Sequence, residues 1–265
     1  MPVHEIRSIS QVGTVEPFNL QVARGQIPGH ELKFKFGHNA VVGDTEETIW
    51  AEGGLYVYPT SATQMTVSSS SADDTAAGTG ARTINIEGLD ADYNEISEDI
   101  ILNGQSPVTT VNSYLRINRG AVLTAGSGEK NAGIIRAGTG TVTSGVPANV
   151  FLSIDGEGDN QTLMCLWTVP AGYTAFLVQT NVSTGNASNT PALLNTTIVA
   201  RPHGGVFNTA ERITLKDGNQ LQGYNFPLRF TEKTDLEVRA KSTTTVTFDC
   251  SASLEFIYIK NDSRL

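Results

Sequence analysis

The chain has 265 residues, of which 39% are hydrophobic and only 17% are charged, so much of its polarity comes from Thr, Ser, Asn and Gly. That mixture favours strands and turns over helices. A net charge of −9 and a pI near 4.9 argue against a nucleic-acid-binding face. No run approaches the roughly 20 apolar residues of a membrane helix, and residues 1–10 lack the apolar core of a signal peptide, so we expect no membrane partner.

Residues 1–44 are predicted to form an extended arm, because Pro and Gly recur at short intervals and exclude a long helix. Two short runs of alternating apolar residues within it are each predicted to be a strand: Phe18, Leu20 and Val22, then Leu32, Phe34 and Phe36. Two such strands cannot enclose a core alone. We therefore expect these six side chains to pack on another surface, in the same subunit or a neighbour, and the arm to be dispensable for folding of the rest.

Residues 45–146 contain short strand patterns separated by turn residues, which predicts a β-sandwich domain. Its clearest unit, residues 83–103, has two period-2 runs around a polar turn and is predicted to be a β-hairpin. Residues 55–58 are predicted to be another strand. Residues 68–80 have little apolar mass and are predicted to form an exposed, mobile loop. The Gly-Val-Pro sequence at 145–147 marks the predicted boundary with the next domain.

Residues 147–265 continue with strand runs at similar spacing, which predicts a second antiparallel domain resembling a jelly roll. The Pro-Ala-Gly sequence at 170–172 is predicted to join its flanking runs as a hairpin. Cys165 and Cys250 each lie in an apolar run, which favours buried free thiols, although a disulfide stays open because sequence does not fix their separation. The predicted fold is therefore all-β: an arm followed by two antiparallel β-sandwich or jelly-roll-like domains.

One acidic turn has part of a calcium-binding pattern. Asp90, Asp92 and Asn94 have the opening spacing of such a loop, but Glu95 and Ile101 stand where the loop requires Gly and a bidentate Glu. The same reasoning applies to the acidic turn at 155–159. Solvated turns are expected at both places, with no metal site and no cofactor.

Catalytic constellations are incomplete as well. The sequence has no Gly-x-Ser-x-Gly motif, three of its four histidines lie in the arm, and His203 has no second metal ligand at a suitable spacing. We therefore expect no enzyme activity. Five aromatic residues could form a sugar-stacking platform, but their positions in alternating runs favour core or interface packing: Trp50, Tyr56, Tyr58, Tyr173 and Tyr224.

Several stretches resemble structural proteins of tailed bacteriophages, notably those of cyanobacteria and marine bacteria. They are PFNLQVARG at 17–25, EETIW at 46–50, residues 78–89 with 94–98, and QTLM at 161–164 with WTVPAGY at 167–173. The resemblance implies a non-enzymatic virion component, made in the cytoplasm of a bacterial host, that assembles with other virion proteins such as a major capsid protein or tail proteins. It brings no catalytic residues and does not distinguish head from tail.

These observations together predict a capsid decoration (cement) or head-fibre protein that attaches through its arm. The alternatives are a tail accessory or fibre-base component, or a receptor- or carbohydrate-binding module, which an aromatic groove on the second domain would favour. A homo-oligomer is expected because closed symmetry buries exposed apolar surface. The phage resemblance favours a trimer.

Overall fold

The computed structural model describes residues 16–156, 158–186, 188 and 190–262, so the first 15 residues of the predicted arm lie outside it. Across those described ranges there is one helix and sixteen strands, which confirms the all-β class. Helix α1 spans Phe18–Ala23. The strands are β1 His30–Val42, β2 Glu47–Thr48, β3 Thr63–Ser69, β4 Ala81–Leu89, β5 Glu95–Ile101, β6 Val108–Tyr114, β7 Arg116–Ala125, β8 Ile135–Thr143, β9 Val146–Ile154, β10 Leu166–Thr168, β11 Tyr173–Gly185, β12 Leu194–Arg201, β13 Asn208–Leu215, β14 Gly218–Phe230, β15 Asp235–Ser242 and β16 Phe248–Lys260.

Strands β3 to β9 form a first group of two antiparallel sheets, with strand orders β6-β3-β8-β9 and β5-β4-β7. The hairpin predicted at 83–103 is confirmed as β4 and β5, which pair from Thr83 opposite Ile101 to Leu89 opposite Glu95. Alternate side chains of both sheets point into one apolar cluster. Its buried members include Met65, Val67, Ile84, Ile86, Ile100, Ile135 and Leu152.

The other strands form a second group, with sheets ordered β1-β16-β11-β14 and β10-β15-β12-β13, and β2 pairs with β15. These two sheets share a second apolar cluster, which includes Leu177, Val182, Ile198, Val238, Leu254, Phe256 and Tyr258. Cys165 and Cys250 are buried there as free thiols, as their apolar flanks predicted.

The boundary predicted at 145–147 falls inside the first group. Gly145 adopts φ +77°, a left-handed conformation suited to glycine, and turns the chain from β8 into β9, which pair antiparallel with Thr143 opposite Val146. The chain leaves the first group later, because Met164 still bridges Trp50 whereas Cys165 lies in the second core. Glycine before proline is equally typical of a tight turn and of a linker, which explains the misplaced boundary.

The predicted extended arm is corrected by the structure from residue 16 onward. Residues 18–23 are helical rather than a strand, and Pro17 begins the helix by accepting hydrogen bonds from Leu20 N at 3.0 Å and Gln21 N at 3.1 Å. Three alternating apolar residues are too few to distinguish a period of 2 from one of 3.6. Strand β1 pairs with β16 from His30 opposite Ile259 to Val42 opposite Phe248, so it is part of a sheet.

The hairpin predicted around residues 170–172 is also wrong. Strand β10 before the turn pairs with β15, whereas β11 after it pairs with β14 and β16, so the turn carries the chain from one sheet to the other. Residues 55–58, predicted as a strand, are not paired in any sheet. A Pro-Gly turn fixes a reversal of direction, but long-range pairing decides which strands become neighbours.

The predicted mobile loop at 68–80 is held in place by one buried carboxylate. Asp74 is fully buried and accepts hydrogen bonds at 2.5–2.9 Å from the Ser69 hydroxyl and from the backbone N–H groups of Ala81, Ala132 and Gly133. Polar interactions replace apolar packing in this segment, which is why its low hydrophobicity misled the prediction.

Candidate assembly surface

Strand β1 lies at the edge of its sheet, and its side chains alternate between two environments. Lys35 and Gly37 are buried opposite core residues of β16. The outward face of β1 carries Leu32, 42% exposed, Phe34, 59% exposed, and the half-buried Phe36. The rings of Phe34 and Phe36 lie side by side, with centroids 5.6 Å apart. The three β1 residues predicted to bind a partner thus form one apolar row.

The backbone of this row is unpaired on one side. His38 donates its N–H to Leu163 O at 3.3 Å, away from β16. Because strand N–H groups alternate in direction, the N–H groups of Phe36 and Phe34 point to the same open side, where no described residue accepts from them. Open edge amides next to exposed apolar side chains are a template for an added strand.

Helix α1 extends the apolar surface at the start of β1. Phe18 and Leu20 are 49% and 47% exposed, and the ring of Phe18 meets that of His30 edge-on at 6.0 Å. Val22 is buried, at 3% exposure. The structure therefore brings five of the six predicted residues to the surface around β1 and buries Val22, so the three alternating residues of this segment do not form the single apolar face that a strand would give them.

A groove of about 300 Å³ runs along the open edge of β1, between it and the first group of strands. Its far wall includes Glu87, Arg119 and Thr162. Lys33 contacts Glu31 on its own strand at 3.0 Å and Glu95 on β5 at 3.6 Å, and the second contact bridges the two groups. Burial opposes the charge of Lys33, but these carboxylates outweigh it and raise its pKa. The groove thus offers apolar contacts, open amides and charges of both signs.

Lys35 is the more deeply buried of the two lysines of β1, which share one face of the strand, and it is 5% exposed. Its ammonium donates to the backbone O of Asn118 in the first group and lies 5.6 Å from the ring centroid of Trp167. Burial lowers the pKa of Lys35 to about 7 because a charged amine loses its hydration there. No pattern in the sequence distinguishes this lysine from its exposed neighbours.

Sequence reasoning also missed a buried ion cluster that joins the two groups. Arg116 on β7 donates to Asp235 on β15 through Nε at 2.7 Å and Nη2 at 3.1 Å. Arg201 donates to the same carboxylate at 2.6 Å, and so does the hydroxyl of Thr168. Burial disfavours the charge of Arg116, but Asp235 outweighs it and raises the pKa of the guanidinium. Both arginines also lie over the ring of Tyr58.

A second pair lies two residues along the same strand. Glu237 is fully buried, accepts from the Thr48 hydroxyl at 2.8 Å, and pairs with Arg239. Burial raises the pKa of Glu237, and Arg239 opposes that shift. Asp235, Glu237 and Arg239 alternate with apolar residues, a pattern that ordinarily marks a solvent-facing side of a strand. The sequence carried no signal that this side would be covered.

The other predicted candidate sites have structural roles. Asp90 accepts hydrogen bonds from the N–H groups of Asp92 and Asn94 at 2.8 and 2.9 Å and so closes the β4–β5 turn. The ring of His203 packs against Tyr93. The five aromatic residues considered for a platform pack in or against the two cores: Trp50, Tyr56, Tyr58, Tyr173 and Tyr224.

In the part of the chain that the structure describes, no group of three or more His, Cys, Asp or Glu side chains is arranged to hold a metal ion. No helix among those residues has the length and hydrophobicity needed to cross a membrane.

Comparisons with known proteins yielded structural neighbours only. No family model and no curated protein matches the chain. It is similar to the crystal structure of the infectious bursal disease virus VP2 subviral particle, with 12% identity over 94% of this chain and 79% of that one and a TM-score of 0.26. The structure of the Gx strain of that virus gives 11% identity, 96% and 79% coverage, and a TM-score of 0.24. TM-scores this low support no conclusion about the fold family or the function of this chain.

Proposed function

We propose that this protein is a non-enzymatic structural component of a phage virion, a capsid decoration or head-fibre protein, which attaches to another virion protein by strand addition along β1. The observation that carries the proposal is the open edge of β1, where the unpaired N–H groups of Phe34 and Phe36 lie beside an exposed apolar row. Backbone hydrogen bonds would supply affinity, and the groove beside the edge would select side chains of the partner. The resemblance to tailed-phage proteins supplies the virion context.

We also propose that each group of strands is a β-sandwich or jelly-roll-like unit. Each pair of sheets shares one apolar core, an arrangement that suits two β-sandwich or jelly-roll-like units. The ion cluster around Asp235 would hold the units in one orientation. A rigid two-unit body attached by one edge suits a protein displayed on a particle surface. A tail accessory or fibre-base role would use the same edge.

Attachment can be tested with particles of a phage from whose genome the gene for this protein has been deleted. Purified wild-type protein and a Phe34→Ser variant are added, and the bound fraction is measured after sedimentation. We expect wild-type protein to bind and Phe34→Ser to bind at least tenfold more weakly, because the substitution removes apolar contact at the centre of the row. The control is Phe226→Ser, since Phe226 is 89% exposed on β14 and lies outside this row.

A second measurement reports on strand addition itself. Hydrogen exchange at the amides of Phe34 and Phe36 should slow on the particle, because both N–H groups gain acceptors. Equal binding by wild-type and Phe34→Ser protein, or unchanged exchange at both amides in the bound protein, would contradict attachment through β1. Failure of wild-type protein to bind any particle would contradict the virion role.

A further inference from the structure

A concave region lies on the outward face of the sheet formed by β1, β16, β11 and β14. The pairing of β1, β16 and β11 places six outward side chains in two rows of three: Phe36, Ser253 and Asn181, then His38, Ser251 and Ser183. The short side chains of Ser251 and Ser253 lie on the middle strand, beside the larger Phe36 and His38 of β1, and Ser183 of β11 is equally short. The face is therefore hollow along its middle strand.

The hollow is a cavity of about 440 Å³, a size within the range of roughly 300–1,000 Å³ that is typical of small-ligand sites. Leu163, Asp155 and Asp159, from the segment between β9 and β10, complete one wall. Leu163 is tied to β1 through the hydrogen bond from His38 N to Leu163 O. That part of the wall is thus fixed to the floor by backbone contact.

His38 and Asp155 have hydrogen-bond partners within the protein, but four other polar residues of the cavity present a side-chain group that has none. Asn181 Oδ1 is a buried atom with no hydrogen-bond partner among the described residues. The hydroxyls of Ser183, Ser251 and Ser253 make no hydrogen bond to a described side chain or backbone group either. A buried acceptor left unpaired costs about 1–3 kcal/mol, so rotation of the Asn181 side chain to meet a donor group of a ligand would recover that energy.

The charges around the cavity restrict the ligand. No Lys or Arg is among its described lining residues, and two carboxylates, Asp155 and Asp159, stand on its wall, which disfavours phosphates and acidic sugars. Carboxylates, hydroxyls and an amide together suit a ligand with many hydroxyl groups, and the ring of Phe36 offers an apolar face for sugar C–H groups. We propose that this cavity binds a neutral saccharide, a function beyond attachment to the virion that shares only Phe36 with the attachment row.

The test uses the full-length protein and three neutral trisaccharides, built of glucose, mannose or N-acetylglucosamine. Binding is measured by saturation-transfer NMR and titration calorimetry, which tolerate any oligomeric state. We expect at least one trisaccharide to bind saturably, and Ser253→Val to raise its Kd at least tenfold because the branched side chain fills the floor. Asn181→Leu should act similarly by removing the unpaired acceptor.

The matched control is Ser97→Val, which changes an exposed serine on β5 in the first group of strands and should leave the Kd unchanged. Melting temperatures of all three variants show whether the fold is kept. Lack of saturable binding by every trisaccharide up to 20-fold excess over about 1 mM protein, or equal affinities in wild-type and folded Ser253→Val protein, would overturn the proposal. Particle attachment is read out separately with Phe34→Ser, so either idea can fail alone.

Discussion

The amine of Lys35 is enclosed between the two groups of strands, near Cys165, Glu87 and Arg119, and its pKa is lowered to about 7 from 10.5. Between those two pH values the unfolded chain binds a proton that the folded chain does not, so this group makes the free energy of unfolding rise with pH across that window. Below pH 7 the amine is charged in both the folded and the unfolded chain, and the full cost of burying that charge lowers the free energy of unfolding.

We therefore expect Lys35→Met to be more stable than wild type at pH 7, by about 1–3 kcal/mol, and the difference to shrink by pH 8.5. Urea unfolding at both pH values measures it. Lys33→Met is the control, because Lys33 is ion-paired and should give no gain. A constant difference across this pH range would show that Lys35 keeps its proton.

Position 37 requires glycine because the backbone around it leaves no room for a side chain. A Cβ there would lie 2.2 Å from Cys165 N and 2.6 Å from Ile49 O, both of which are backbone atoms that cannot move aside cheaply. We expect Gly37→Ala to destabilise the protein by at least ~2 kcal/mol, measured by denaturant unfolding. Gly43→Ala is the control, since its nearest neighbour would be a Glu47 side-chain oxygen at 3.7 Å. A stable Gly37→Ala variant would refute this packing.

Asp235 holds two arginines and should be sensitive to neutralisation. Asp235→Asn leaves Arg116 buried without its carboxylate, so we expect a loss of about 3–5 kcal/mol in denaturant unfolding. Asp249 forms an exposed pair with His38, and Asp249→Asn should cost no more than about 1 kcal/mol. Similar effects at both positions would mean that the cluster is not desolvated.

Strand β1 is part of a sheet of the second group, although the sequence predicted that it would belong to a dispensable arm. It covers one edge of β16 along most of that strand and contributes Val42 to the second core. Deleting residues 1–42 should therefore leave a protein that aggregates or melts in two steps, with the first group of strands retained. Circular dichroism and light scattering measure this. A single cooperative melt near that of the parent would show instead that residues 1–42 are an arm that the rest of the chain does not need for folding.

The local sequence pattern predicted the all-β class and many of the strands, because period-2 alternation of apolar residues directly reflects burial of one face of a strand. The β4–β5 hairpin is an example. It failed where partners are remote. Nothing near Phe34 indicates that residues 248–260 are its neighbours, and nothing near Asp235 indicates an arginine at position 116. The outward row on β1 was predictable as an apolar surface, whereas the cavity beside Asn181 arises only from the register of three strands.

For the whole molecule, we propose self-association through the surface around β1. Light scattering coupled to gel filtration should give three times the chain mass of 28.3 kDa, and Phe34→Ser with Phe36→Ser should lower that mass without lowering the melting temperature of the folded chain. A monomer at micromolar concentration for wild-type protein would contradict self-association and leave only assembly on the particle.

The pairing of β1 with β16 also constrains biosynthesis. His38 and Asp249 are 211 positions apart, and at about 5–20 residues per second a ribosome needs roughly 10–40 s to make that length. Throughout that interval the emerging β1 segment lacks its neighbour, while the intervening first group of strands can already fold. Neighbouring ribosomes on one message would hold several such strands close together. Translation speed and spacing of ribosomes therefore become determinants of yield, because premature pairing between nascent chains competes with closure of each sheet by its own last strand.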